Sequence, residues 1–227
     1  LTCFGQGENN WWYFGSVAVS FNGAIPTVHF DSAMDQNEGS SSISGPDGDL
    51  LFYTDGVTVW NRNNVPMPNG EGLLGHSSSS QSALIVPQPS HCGIYYLFTV
   101  PSSVIGPMAY SIVDMSLDGG LGDITVKNIP LQTDVTERLS ATLHANGVDY
   151  WVAGQYCSDL SIFSYLLTAQ GLDLTPIVSS PPAPTNGGCH YGYMKFSPDG
   201  QKLCTSFLYA RHAYLFDFDN ATGIASN

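Results

Sequence analysis

Residues 43–61 read Ile-Ser-Gly-Pro-Asp-Gly-Asp-Leu-Leu-Phe-Tyr-Thr-Asp-Gly-Val-Thr-Val-Trp-Asn. This pattern predicts a short strand, a Pro-Asp-Gly turn, an apolar strand, an Asp-Gly turn and a third strand that ends at Trp60. Asp-Gly favours turns because glycine accepts a positive φ and aspartate can bond its own backbone. Leu50 to Tyr53 is continuously apolar, which is typical of a strand that is covered on both faces.

The same unit recurs three more times along the chain. In each copy a glycine turn separates the first strand from the second, and a third strand follows; the turn glycines are Gly48, Gly93, Gly147 and Gly200. Their separations are 45, 54 and 53 residues. A period of about 50 residues with three or four strands per copy is typical of a β-propeller, in which each copy forms one blade. A β-sandwich, the alternative all-β architecture, gives no reason for four matching turns at this period.

We therefore expect an all-β protein, a partial β-propeller over residues 8–227 with blades near 38–75, 80–131, 137–180 and 189–227. Residues 1–7 are expected to be a leader, either the tail of a signal peptide or an ordinary chain end. A ring of about seven blades needs roughly 350 residues, so four blades would form little more than half of it. The aromatic strand at residues 11–14 is expected to be an outer strand that completes the last blade, with its partner elsewhere.

The charge of the chain limits its partners. The 227 residues include six Lys or Arg against 19 Asp or Glu, for a formal net charge of -13. Nucleic acids and anionic membrane surfaces are recognised by basic patches, so both are unsuitable partners. The acidity is typical of an extracellular protein or of a cation binder. Apolar runs are strand-sized and shorter than the roughly 18 residues of a membrane helix.

Motifs from about residue 8 onward are similar to those of one known family. They are Trp12–Gly15, Asn37–Gly39, Leu51–Asn61, Met67–Gly70, Gly72–Ala83, Tyr110–Asp123 and Leu215–Gly223. The chain thereby resembles the N-terminal propeller region of large secreted surface proteins of gliding bacteria, which are labelled gliding-motility-associated. The resemblance implies a WD40-like or TolB-like propeller, export by the type IX secretion system and a location outside the cell. It implies no activity for particular residues.

Alignment of the copies on their turn glycines places polar side chains where loops enter the innermost strands. Ten residues before each glycine stand Glu38, Ala83, Glu137 and His190, and Gln81 lies just before Ala83. Because loops from every blade converge over the channel of a propeller, we expect these side chains at its mouth. They could hold Ca²⁺ or another divalent cation, or bond a sugar. The alternative is that they are solvated loop residues of an acidic protein.

His76 and the four serines that follow it belong to a loop on the same expected face. One interpretation is a hydrogen-bonding lip for a polar ligand. Serine hydrolase chemistry is disfavoured because the Gly-x-Ser-x-Gly elbow is missing, and the zinc motif His-Glu-x-x-His and the phosphate loop are missing too. The sequence thus predicts ligand-binding candidates and assigns no catalytic residue.

The five cysteines lack the Cys-x-x-Cys spacing of many metal sites. Cys157 falls in the turn between the second and third strands of the third copy, and Cys189 leads into the inner strand of the fourth. The blade arrangement puts both on one face of neighbouring blades, which predicts a Cys157–Cys189 disulfide, consistent with export. Cys204 lies in an apolar strand and is expected to be a small core residue.

Two functions of different classes follow from these patterns. The first is an extracellular binding or scaffold module that recognises a glycan or a protein. The alternative is a secreted carbohydrate-active or metal-dependent hydrolase or lyase that uses carboxylates at the channel mouth. A glycosidase needs two carboxyl groups about 5–10 Å apart, and Glu38 and Glu137 could meet only across the channel because they lie two blades apart.

Overall fold

The computed structural model describes residues 7–36, 38–102, 106–181, 191–209 and 211–226. Within these residues, twenty strands form five antiparallel sheets, which confirms the expected all-β fold. A short 3-10 turn at Asp118–Gly120 is the helical element of the described part. None of the helical structure there is long and apolar enough to cross a membrane.

The strands follow one another in chain order within each sheet. Sheet 1 contains β1 (Trp11–Phe14), β2 (Val17–Ser20) and β3 (Thr27–His29); sheet 2 contains β4 (Ser41–Ser44), β5 (Leu50–Thr54), β6 (Thr58–Asn61) and β7 (Pro66–Glu71). Sheet 3 contains β8 (Ala83–Pro87), β9 (Ile94–Thr99), β10 (Met108–Asp114) and β11 (Asp123–Gln132). Sheet 4 contains β12 (Val135–Leu143), β13 (Tyr150–Tyr156), β14 (Ile162–Thr168), β15 (Gly171–Leu172) and β16 (Ile177–Ser179), the last two both pairing with β14. Sheet 5 contains β17 (Met194–Phe196), β18 (Lys202–Phe207), β19 (His212–Asp219) and β20 (Ile224–Ser226).

The four glycine turns predicted from the repeat are present in sheets 2 to 5. Gly48, Gly93, Gly147 and Gly200 each lie between the first and second strands of a sheet, with φ of 88°, 84°, 70° and 69°. A residue with a Cβ is strained in this left-handed region, whereas glycine is not. The local chemistry of these turns therefore fixes where each first strand reverses.

Among the described residues, apolar side chains form four separate cores, one between each pair of consecutive sheets. Sheet 2 shows how a strand serves two of them. Tyr53 of β5 packs against Tyr13 of sheet 1 with ring centroids 3.9 Å apart, while Phe52 packs against Tyr95 of sheet 3 at 5.5 Å. Successive residues of a strand point to opposite faces, so the apolar run at residues 50–53 is covered on both faces, as predicted.

The sheets share two ends, which we name by their connections. The turn end carries the four glycine turns and the loops between third and fourth strands. Here the Ala145 N–H of sheet 4 donates to the Asn220 carbonyl of sheet 5 at 2.9 Å, and Gln88 Nε2 of sheet 3 donates to the Ala169 carbonyl of sheet 4 at 3.1 Å. The loop end is the opposite end and carries the segments that precede the first strands. There Cys157 N–H donates to the carbonyl of Asp134 at 2.7 Å.

Sheet 1 differs from the sequence-based expectation. Trp11–Phe14 was expected to be an outer strand with its partner elsewhere, but β1 pairs along its length with β2 and starts a sheet of its own. The expectation is wrong because the turn at Gly15, with φ of 56°, reverses the chain directly into the alternating sequence Val17–Ser20. The described residues therefore contain five sheets, one more than the four repeats.

Candidate functional site

The segment His76–Ser82 at the loop end is a compact turn held by its own polar groups. The His76 Nδ1 atom accepts a hydrogen bond from Ser78 N–H at 3.0 Å, and the His76 N–H donates to Ser82 Oγ at 3.2 Å. Ser79 N–H closes the turn on the His76 carbonyl at 3.0 Å. Histidine and serine here act as backbone caps, and the His76 ring remains exposed at the surface.

Glu38 lies beside this segment because the next residue, Gly39, touches it closely. Gly39 N–H donates to the Ser79 carbonyl at 3.0 Å, and a Cβ at Gly39 would overlap the backbone of Ser79 and Ser82. Glycine permits this close backbone approach. The Glu38 side chain is exposed, so it shares a surface with His76.

Gln81 joins three sheets with one side-chain amide. Its Nε2 donates to the carbonyls of Leu139, at 3.0 Å, and Met194, at 3.2 Å. Its Oε1 accepts from the N–H groups of the same two residues, at 3.3 and 2.7 Å. The side chain therefore pairs with the first strands of sheets 4 and 5 as a piece of backbone would, from a segment that enters sheet 3.

Glu137 is buried and serves the same segment. Its side chain is 1% exposed, and its Oε2 accepts hydrogen bonds from Ser80 N–H at 2.8 Å and Ser80 Oγ at 3.0 Å. Hydrogen bonds to an ionised acceptor are stronger than neutral ones. In the described structure Glu137 therefore holds the segment before β8 instead of facing solvent.

Arg138, the next residue of β12, points to the opposite side, towards sheet 5. It is fully buried and donates to the carbonyls of Ser206 at 2.9 Å and Tyr191 at 2.8 Å. The guanidinium carbon lies 4.0 Å from the centroid of the Phe207 ring, a cation–π contact. Burial is the main influence on this group and lowers its pKa to about 10, while the charge of Glu137 opposes the shift.

The five candidate residues thus have different roles. Gln81 and Glu137 come together through the segment His76–Ser82 and are committed to holding it, whereas Glu38 and His76 are exposed on its surface. His190 lies outside the described residues. The candidate site is therefore the surface formed by Glu38 and the segment His76–Ser82, and we call it the loop-end site.

A cation at the loop-end site was one expectation from the sequence. The described residues contain no group of three or more His, Cys, Asp or Glu side chains that could hold a metal ion. Two buried oxygens beside Gly39, Gln36 Oε1 and Ser79 Oγ, have no protein partner in the described part. Neutral oxygens and one carboxylate are weak ligands for Ca²⁺, so calcium binding stays a prediction.

The cysteines are partly described. Cys157, at the loop end, and Cys92, at the turn end, are each in a disulfide, whereas Cys204 is free and half-buried in β18. Cys189, the predicted partner of Cys157, lies outside the described residues, so that pairing stays a prediction. Disulfides are typical of proteins folded in oxidising compartments.

Comparison with known proteins gives little guidance. No family model matches the chain, and no curated protein does. One solved structure with a similar course is an auxiliary nutrient binding protein from Bacteroides thetaiotaomicron VPI-5482, at 12% sequence identity and a TM-score of 0.42. The match covers 98% of this chain but 41% of that one, so the chain spans less than half the length of this neighbour.

Proposed function

We propose that the five sheets are blades of a β-propeller in an exported surface protein, and that the loop-end site binds a polar ligand. The first strands β4, β8, β12 and β17 contact one another in chain order, as inner strands around an axis do. The turn-end bonds between sheets 3 and 4 recur between sheets 4 and 5, which supports a constant rotation from sheet to sheet. A ring of about seven blades would need further sheets.

Export is supported by two features of the chain. Cys92 and Cys157 are both in disulfides, which persist in oxidising compartments. The resemblance to secreted surface proteins of gliding bacteria points the same way, and type IX secretion is part of this proposal.

The observation that supports a binding role is the set of hydrogen bonds made by the Gln81 side chain. Four hydrogen bonds fix the base of the segment His76–Ser82 to two other sheets, so the exposed groups above it are held on a rigid support. Rigid scaffolds that present polar groups on loops are common binding sites. A glycan or a polar protein segment suits the imidazole, hydroxyl and carboxylate groups of this surface. The carboxylate of Glu137 is bonded to Ser80, so we do not propose it as half of a catalytic pair.

The experiment is a glycan array probed with the purified protein, with and without calcium, followed by calorimetry with each hit. Glu38→Gln and His76→Ala should weaken binding of a true hit by about tenfold, as expected for the loss of one charged hydrogen bond. Asp118→Asn is the matched control, because Asp118 is an exposed carboxylate of the turn end and asparagine tolerates its φ of 46°. Hits that respond to Asp118→Asn and not to the loop-end variants would show that the site lies elsewhere.

A further inference from the structure

The bonding of two described cysteines constrains the two that lie outside the described residues. The chain has five cysteines; Cys204 is free, whereas Cys92 and Cys157 are each in a disulfide. The partners of Cys92 and Cys157 are therefore either each other or Cys3 and Cys189. The positions of the described residues decide between these pairings.

Cys92 and Cys157 lie too far apart to pair with each other. Cys92 is at the turn end, where the Nε2 atom of its neighbour His91 lies 3.0 Å from the Ala169 carbonyl oxygen of sheet 4. Cys157 is at the loop end of sheet 4, just beyond the last residue of β13. At about 3.3 Å per residue, the seven residues of β13 hold the two ends roughly 20 Å apart. The Cα atoms of a disulfide lie within about 7 Å of each other, so each of these cysteines has another partner.

Tyr191, the described residue nearest to Cys189 in the sequence, lies at the loop end. Its carbonyl accepts a hydrogen bond from the buried guanidinium of Arg138 at 2.8 Å. Two residues of chain span at most about 7 Å, so together with the disulfide itself the reach from Tyr191 is about 14 Å. Cys92 is beyond this reach because it lies at the turn end and two sheets away.

The N-terminal part of the described chain lies at the turn end, close to Cys92. A Cβ at Gly7 would overlap the backbone of Gly48, the turn glycine of sheet 2. Burial and, to a smaller extent, the charge of Glu8 raise the pKa of Tyr95, which stands three residues after Cys92. Residues 7 and 8 therefore lie between the turns of sheets 2 and 3.

This position brings sheet 3 within range of Cys3, which is four residues from Gly7. Four residues of chain span at most about 14 Å, so with the disulfide itself the reach from Gly7 is about 21 Å. Neighbouring sheets pack about 10 Å apart, and the turn of sheet 3 that carries Cys92 lies well inside this distance.

We propose that Cys92 is bonded to Cys3, and that this disulfide fastens residues 3–10, the N-terminal strap, covalently to the turn end of sheet 3. Formation of the bond removes two electrons and two protons from the two thiols, and the disulfide of a thiol-exchange catalyst takes them up and becomes two thiols. Cys157 is left with Cys189, so one disulfide braces each end. The strap requires that Cys3 stays in the exported protein, because removal of residues 1–7 as the tail of a signal peptide would take this partner from Cys92.

Tryptic mapping without reduction tests the pairing on the unaltered protein, after its free thiols are blocked by alkylation. The cysteines are distributed over the tryptic fragments with Cys3 in the fragment that ends at Arg62, Cys92 in residues 63–127, and Cys157 and Cys189 together in residues 139–195. We expect the first two fragments to be linked to each other and the third to be closed on itself. A species that links all three fragments, or an alkylated Cys92, overturns the proposal.

The variant Cys3→Ser measures what the strap contributes to the fold. It should expose one additional thiol to alkylation, at Cys92, and lower the Tm by roughly 4–16 °C, as expected for the loss of one disulfide in a chain of this size. Cys204→Ser is the matched control, because Cys204 is free, and it should leave the linked fragments and the Tm nearly unchanged. A Cys3→Ser variant in which Cys92 stays protected from alkylation, or whose Tm equals that of Cys204→Ser, would contradict the strap.

Discussion

Replacing Gln81 by methionine should destabilise the protein far more than its half-buried position suggests. The substitution keeps the length of the side chain but removes four hydrogen bonds to the backbone of Leu139 and Met194. At about 1 kcal/mol for each bond, the free energy of unfolding should fall by about 4 kcal/mol. For a domain of this size that corresponds to a fall in Tm of roughly 8–16 °C.

Urea unfolding followed by tryptophan fluorescence measures this loss. The control is Gln88→Met, which removes a comparable side-chain amide with one hydrogen bond, to the Ala169 carbonyl, and should cost about 1 kcal/mol. The reasoning is refuted if Gln81→Met loses no more stability than Gln88→Met. A Gln81→Met variant as stable as the wild type would likewise show that the first strands of sheets 4 and 5 do not depend on these four hydrogen bonds.

Three further predictions follow from the described contacts. Arg138→Lys should lower the free energy of unfolding by about 3 kcal/mol in the same urea assay, because an ammonium group cannot reproduce the hydrogen bonds of the planar guanidinium group or its stacking on the Phe207 ring. A loss below about 1 kcal/mol would contradict this. Burial raises the pKa of Tyr95 to about 12. The contribution of this shift to the free energy of unfolding is complete below the unfolded pKa of about 10 and is lost as the pH rises towards about 12, by about 1.4 kcal/mol per pH unit. Urea midpoints should therefore fall more steeply with pH in the wild type than in Tyr95→Phe. Peptide mapping without reduction should recover Cys157 linked to Cys189 and Cys204 as a free thiol, and a free Cys189 would remove that pairing.

Much of the architecture was predictable because its signals are local. Turn chemistry at Gly48 and its three counterparts marks where each first strand ends, and the apolar run at residues 50–53 marks a strand covered twice. Sheet 1 escaped prediction for the opposite reason. Its turn glycine, Gly15, lies only 33 residues before Gly48, so it does not match the period of about 50 residues. The packing of sheet 1 on sheet 2 depends on contacts that are distant in the sequence, such as the stacking of Tyr13 on Tyr53.

The candidate site was predictable in position but not in role. Alignment on the turn glycines located Glu137, and inspection of the same loop located Gln81, yet their hydrogen-bond partners lie on other sheets. Arg138 was missed because a charged side chain is rarely buried unless it is paired. The available signal was its place beside Glu137 on one strand, since adjacent side chains of a strand usually point to opposite faces.

The four separate apolar cores also bear on how such a chain can change over evolutionary time. Because each core is shared by two consecutive sheets only, duplication or loss of one whole sheet would require new complementarity at a single junction. Gln81 is an exception, since it links sheet 3 to sheets 4 and 5 at once. Sheets 3 to 5 would therefore be inherited as a block, whereas units on the side of sheet 1 could be gained or lost more freely.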